Sequence, residues 1–235
     1  MFLTIIKIIM IVVVTTFWSI LAVITGPLNF GLPAYHLIST TWAKQLIWIS
    51  GVKIEATGLE NIDPEKNYVF ISNHASLFDI PILLSIIKCE IKMVAKKELV
   101  YIPIFGWSLW AGRYILIDRN DMRKSFKAMK NAEKKLRKGT SILIFPEGTR
   151  SSDGEIQSFK KGGFYLALQT GFDILPVSIS GSNTVMPKNK FRITPVKVHL
   201  VIGEPIAVKE YKRNKDEFID SVRNVIISNL KEEIV

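Results

Sequence analysis

The chain reads as an α/β protein: a mixed, largely parallel sheet covered by helices, with two hydrophobic helices ahead of it. Three observations lead there. From about residue 51, short apolar runs alternate with helix-like stretches, the pattern of strands joined by helical connections. Some runs, such as residues 141–145, are strongly apolar and suit buried strands. Before them the composition differs sharply. The first 50 residues hold only two of the 31 basic residues, Lys7 and Lys44, and the first acidic residue is Glu55.

Residues 8–25 are uncharged and dominated by large apolar side chains. As a helix they extend roughly 27 Å, near the lower limit for crossing a hydrocarbon core. Gly26-Pro27 ends the run, because a proline disfavours helix in the residue before it. Residues 33–50 combine Trp42, Leu46, Ile47, Trp48 and Ile49 with His36, Ser39, Thr40, Lys44 and Gln45, which suits an interfacial helix better than a clean span. Residues 1–50 are therefore expected to be a two-helix membrane anchor, and residues 51–235 an α/β domain. One or two spans fit, and so does a hairpin held in one leaflet with Trp18, Trp42 and Trp48 near the headgroups. A secretory leader fits poorly, since the long run lacks a small-x-small cleavage site.

The net charge is +10. A basic surface near a greasy anchor suits the anionic face of a phospholipid bilayer. Nucleic acid as the partner is disfavoured: no zinc-finger spacing or aromatic–basic RNA motif occurs, and it would leave the apolar start unexplained. Cys89 is the only cysteine, which excludes an intrachain disulfide and reads as a small buried hydrophobe. No metal site is expected, since His36 and His199 do not form a zinc cluster and His199 sits in an alternating strand, facing outward.

Within the domain, residues 68–72 form a strand that runs into Asn73-His74, and a helix is expected over 80–87. Residues 91–95 form the next strand. Residues 106–112 lead to an apolar run at 114–117, closed by Asp118-Arg119. A helix over 122–138 carries Met122, Phe126, Met129, Glu133 and Leu136 near one stripe, with Gly139 as its cap and many lysines elsewhere. That basic face is either solvated or laid over anionic lipid. The strand at 141–145 delivers Pro146-Glu147-Gly148-Thr149-Arg150. Strands at 174–177 and 197–202 and a helix over 218–230 complete the chain. In such sheets ligands gather outside the strand ends.

His74 and Asp79 are five residues apart. On one straight helix they would diverge by about 140°, but a strand end followed by a turn can fold the carboxylate back to the imidazole. Such a pair is a positioned base near neutral pH, and Asn73 is placed to hold the turn. Four further elements accompany it. In Glu147-Gly148-Thr149-Arg150, glycine permits close approach, threonine brings a hydroxyl and arginine a rigid fork for phosphate. Arg119 either joins that phosphate or pairs with Asp118 or Glu147. Phe159-Lys160-Lys161-Gly162-Gly163 is a flexible basic segment that can approach an anion. Leu175, Pro176 and Val177 are wall material for an apolar pocket, or simply structural.

Together, over residues 68–180, these elements resemble the glycerolipid acyltransferases, in particular the bacterial 1-acyl-sn-glycerol-3-phosphate acyltransferases. Asn73-His74-Ala75-Ser76-Leu77-Phe78-Asp79 matches the first block, in which His and Asp are the catalytic dyad; Ala75 stands where many members have glutamine. Residues 112–119 look like the second block, with Gly112 one place further from Arg119 than usual. Glu147-Gly148-Thr149-Arg150 is the intact third block, which in the family contacts the acceptor phosphate, and Leu175-Pro176-Val177 resembles the fourth. The resemblance implies transfer of a fatty acyl group from acyl-CoA or acyl-carrier protein to the sn-2 hydroxyl of 1-acyl-sn-glycerol 3-phosphate (lysophosphatidic acid), giving phosphatidic acid. It implies no bound cofactor, and a catalytic domain on the cytoplasmic side of the inner or cytoplasmic membrane. His74 would take the hydroxyl proton, Asp79 would orient it, and Arg119, Arg150 and, less directly, Lys160 or Lys161 would hold the phosphate. Alternatives are glycerol 3-phosphate, another lysophospholipid or a lyso-aminolipid as acceptor, or a non-catalytic protein that binds anionic lipid.

Overall fold

A strand covered on both faces needs apolar side chains at nearly every position. β2 (Val69–Ser72) and β5 (Ser141–Ile144) are buried throughout, and β6 (Ile174–Ser180) at all but its last residue. These are the central strands of a computed structural model that describes residues 2–26, 31–118, 121–136, 138–151, 154–187, 191–211 and 214–232. They belong to a seven-stranded sheet with β1 (Lys53–Thr57), β3 (Ile91–Lys96), β4 (Ile115–Ile117) and β7 (Lys197–Ile202), in the order β1-β7-β6-β2-β5-β3-β4. From β6 to β4 every neighbour is parallel, whereas β7 runs antiparallel to β6 and carries β1 parallel to itself. The C-terminal ends of β6, β2, β5, β3 and β4 therefore share one edge.

The pleat sorts side chains onto two faces. Phe70, Leu143, Leu175 and Val177 meet α2 (Gly31–Ser50) and α3 (Asp79–Ile86) through Ala43, Ile82 and Leu83. Val69, Ile71, Ile142 and Ile144 meet α5 (Met122–Leu136), α6 (Gly162–Thr170) and α8 (Lys215–Glu232) through Ala132, Phe164, Leu166, Phe218 and Val222. Of the expected stripe on α5, Met129 packs on this core and Glu133 is half-buried, while the side chains of Met122, Phe126 and Leu136 lie outside the described ones. α4 (Phe105–Ala111) precedes β4, and α7 (Ser182–Val185) follows β6. Cys89 is half-buried beside the core, and burial pushes its thiol up.

α1 (Phe2–Thr25) lies antiparallel along α2. The Lys7 ammonium donates to the Ser50 carbonyl (2.7 Å), the Trp42 indole N–H to the Thr15 hydroxyl (3.1 Å), and the Trp18 indole N–H to Gln45 Oε1 (2.7 Å). Its small residues Ser19 and Ala22 face the protein, while Phe2, Ile9, Val12, Val13, Phe17 and Ile24 stay exposed. With a mean hydropathy of 2.5 over its most apolar window, it is the one helix among the described residues long and apolar enough to cross a membrane. The expected two-helix anchor is corrected accordingly. α2 dilutes its apolar residues with polar ones and turns Ala43, Leu46 and Ile49 inward, so it serves as cover for the sheet as well as partner to α1.

Two elements differ from the sequence expectation. β1 has no apolar run to announce it, because it is an edge strand with alternating exposure. Residues 162–163, expected to be flexible, open α6 instead. A Cβ at Gly163 would meet Ile144 at 3.1 Å and Ile71 at 3.3 Å, so glycine lets the helix sit close to the sheet. Gly163→Val should therefore cost about 1–3 kcal/mol by thermal denaturation in detergent. Gly162→Ala, where a Cβ meets nothing within 4 Å, should be neutral or slightly stabilising; equal effects would refute this packing account.

Candidate active site

β2 and β5 are adjacent and parallel, so the loops that leave their C-terminal ends are neighbours. The first loop carries Asn73 and His74, the second Glu147 to Arg150. The Asn73 side chain continues the β2–β6 pairing beyond the last strand residue. Its amide nitrogen donates to the Ile179 carbonyl (2.9 Å) and its oxygen accepts from the Ile179 N–H (2.8 Å). The backbone is thereby pinned at the residue before His74.

His74 Nδ1 lies 2.7 Å from Asp79 Oδ2. Asp79 is fully buried, and the same oxygen accepts the backbone N–H groups of Ala75 and Ser76, each at 2.8 Å. The intervening residues make a tight turn: the Phe78 N–H donates to the Ser76 hydroxyl oxygen (3.2 Å). Asp79 then opens α3, where the helix dipole also favours a negative charge. A carboxylate on Nδ1 favours the tautomer with its proton there, leaving Nε2 as the basic nitrogen. The ring stacks on Phe145, with centroids 4.1 Å apart and planes at 20°, and 15% of the side chain is exposed.

Glu147 ties the second loop to the first. It is buried; Oε1 accepts from the His74 N–H (2.7 Å) and Oε2 from the Gln157 N–H (3.1 Å), while the Ser151 N–H donates to the His74 carbonyl (2.9 Å). Burial pushes the Glu147 carboxyl up, against the downward pull of those two N–H donors. Its partners among the described residues are thus backbone amides, and the pairing with Arg119 falls outside them. Gly148 takes φ +73°, and the Lys160 arm crosses it, with Nζ 2.8 Å from where a Cβ would be. The Lys160 N–H holds the Pro146 carbonyl (2.9 Å). Thr149 is exposed and Arg150 half-buried on the same loop.

The remaining predicted residues divide. Lys161 points elsewhere, its ammonium 2.7 Å from Asp216 on α8. Leu175, Pro176 and Val177 lie inside β6, fully within the core. Arg119 lies outside the described residues. The residue before it, Asp118, accepts from Lys97 at 2.6 Å, which raises the Lys97 ammonium. Lys97 follows β3 on the same edge and escaped sequence reasoning, as did the Phe145 stack and Gln157; the order of the strands is needed to see them together. His199 stands opposite Glu55, at 3.4 Å. Among the described residues no group of three or more His, Cys, Asp or Glu is placed to hold a metal ion.

A histidine–aspartate pair at the ends of parallel strands, braced by a Glu-Gly-Thr-Arg loop, defines the class, and the chain belongs to the glycerolipid acyltransferase family. The family model described as Acyltransferase matches residues 53–180. The chain is closely related to 1-acyl-sn-glycerol-3-phosphate acyltransferases. It is 34% identical over 191 residues to one from Pseudomonas aeruginosa, a match covering 79% of this chain and 73% of that protein. To one from Chlamydomonas reinhardtii it is 31% identical over 204 residues, covering 86% of this chain but only 60% of the longer algal protein. The crystal structure of the 1-acyl-sn-glycerophosphate acyltransferase PlsC from Thermotoga maritima is similar over 100% of this chain and 95% of that one, with a TM-score of 0.85 and 29% identity.

Glu147→Gln places an NH2 group against one of the two backbone N–H donors. It should cost about 1–3 kcal/mol, the penalty of an unsatisfied buried donor. Because burial raises the folded-state carboxyl above its unfolded value, the wild type should lose stability as pH rises from the ordinary glutamate range through that raised value. Thermal melts across pH should show this slope in the wild type and not in the variant.

Proposed function

We propose that the chain transfers a fatty acyl group from acyl-CoA or acyl-carrier protein to the sn-2 hydroxyl of 1-acyl-sn-glycerol 3-phosphate, forming phosphatidic acid. The observation that carries this reading is the 2.7 Å contact between His74 Nδ1 and a fully buried Asp79, with Nε2 left to work as base. Nε2 takes the hydroxyl proton as the oxygen attacks the thioester carbonyl, and Asp79 stabilises the imidazolium. Collapse of the tetrahedral intermediate breaks the C–S bond, and the leaving thiolate recovers the proton from His74. The acceptor phosphate is assigned to Arg150 and Lys160 on the loops beside the base, and to Arg119. Glu147 and Asn73 are positioning residues, fixing the backbone at the His74 N–H and at the residue before it.

Residues 1–50 are assigned to membrane attachment through α1, and residues 51–235 to catalysis. The reaction is placed on the cytoplasmic side of the inner or cytoplasmic membrane, where thioester donors and lysolipid meet. The exposed apolar surface of α1 supports the membrane attachment.

With lysophosphatidic acid and acyl-CoA, His74→Ala should lower turnover by about 10²–10⁴-fold or more, followed by mass spectrometry of phosphatidic acid. Arg150→Ala should raise the acceptor KM more than it lowers kcat. Undiminished transfer by His74→Ala would defeat the base assignment. A preference for a phosphate-free acceptor over lysophosphatidic acid, in direct competition, would defeat the phosphate assignment.

A further inference from the structure

Acyl transfer leaves unused the opposite end of β3. Lys92, its second residue, is only 3% exposed, in a strand that otherwise begins with apolar residues. Its ammonium is paired with Glu90 at 3.0 Å and stands 5.2 Å and 5.5 Å from the ring centroids of Tyr35 and Tyr114. A carboxylate and two aromatic faces thus hold one buried cation. Two more cations converge on it. The Lys135 ammonium, at the end of α5, donates to the Arg113 carbonyl. Arg113, exposed, adopts φ +56°, a conformation that costs a non-glycine residue energy and gathers at functional sites. Glu90 answers the charge of Lys92. Burial, and after it the like charges of Lys92 and Arg113, push Lys135 down to about 8.

The surroundings say which anion belongs. The Tyr35 hydroxyl reaches the carbonyls of Ala22 on α1 (3.1 Å) and Ser108 on α4 (2.8 Å), so the cluster sits at the joint of those helices. α1 continues outward as exposed aliphatic surface, and α4 exposes Trp107 (56%) and Trp110 (74%). Charge beside apolar and indole surface matches a phosphate with acyl chains attached. We propose that Arg113 and Lys135, backed by the buried Lys92, form a binding site for the phosphate of an anionic bilayer phospholipid, flanked by α1 and the tryptophans of α4. The site is distinct from the acyl-transfer centre: β3 separates Lys92 from the catalytic edge by roughly 13 Å of strand. It does not depend on the acyl-transfer reading.

The test uses the full chain and vesicles of phosphatidylcholine with or without phosphatidylglycerol. Wild type should prefer the phosphatidylglycerol vesicles in flotation. Arg113→Gln/Lys135→Gln should reduce that preference about tenfold or more, while Lys127→Gln/Lys130→Gln, removing the same charge from the exposed face of α5, should reduce it much less. Equal losses in the two double variants, or no preference in wild type, would overturn the site. Short-chain phosphatidylglycerol should raise the wild-type Tm and leave that of Arg113→Gln/Lys135→Gln unmoved; the same rise from inorganic phosphate alone would overturn the lipid as ligand. Relieved repulsion should leave the variant's own Tm at or above the wild type without lipid, and Lys135→Gln alone should leave acyl transfer in detergent micelles unchanged. If the double variant fails to fold, Lys135→Gln alone carries the same comparison.

Discussion

A carboxylate removed from water is stable only where donors meet it, and the candidate site is organised around that requirement at Asp79. One of its oxygens gathers the His74 ring and the N–H groups of Ala75 and Ser76. Hydrogen bonds to an ionised acceptor are worth about 1.5–3 kcal/mol each, so the turn closes because the charge needs it closed. The carboxylate is in turn held by α3, whose Ile82 and Leu83 are fully buried against the sheet. The imidazole is thus fixed, through one side chain, to the hydrophobic core.

The same economy governs the two braces beside it. Asn73 uses both ends of its amide on Ile179, doing for the loop what a further strand residue would have done. Glu147 uses both oxygens on backbone N–H groups from two different segments. Both rely on β2 lying between β5 and β6. The side chains that position the base are buried, whereas those of Thr149 and Lys160 face outward.

α1 follows a different logic. Its small residues Ser19 and Ala22 are buried and Ile8 and Ile11 pack beside the core, but most of its large aliphatic residues remain outside, the reverse of a soluble core helix. Its partners at Ser50, Gln45, Trp42 and Tyr35 tie it along the domain. Any apolar phase that covers α1 is therefore brought close to α4 and to the cations at the start of β3.

Much of this was legible in the amino-acid order. Central strands announce themselves because burial on both faces demands unbroken apolar runs. The span-length helix is equally plain, since residues 8–25 carry no charge. The His74–Asp79 spacing and the Glu-Gly-Thr-Arg string mark the family because they are local. Edge strand β1 and helix α6 were not legible, since exposure and a packing glycine blur their patterns. Nor could spacing show that Glu147 serves the His74 backbone, that Lys161 turns to Asp216, or that Lys92, Arg113 and Lys135 meet. Each joins residues far apart in the chain, and their proximity is set by strand order and helix packing. The sequence by itself determined which segments must be buried and which side chains can do chemistry; the tertiary structure alone decided which of them meet, because strand order and pairing place distant loops side by side.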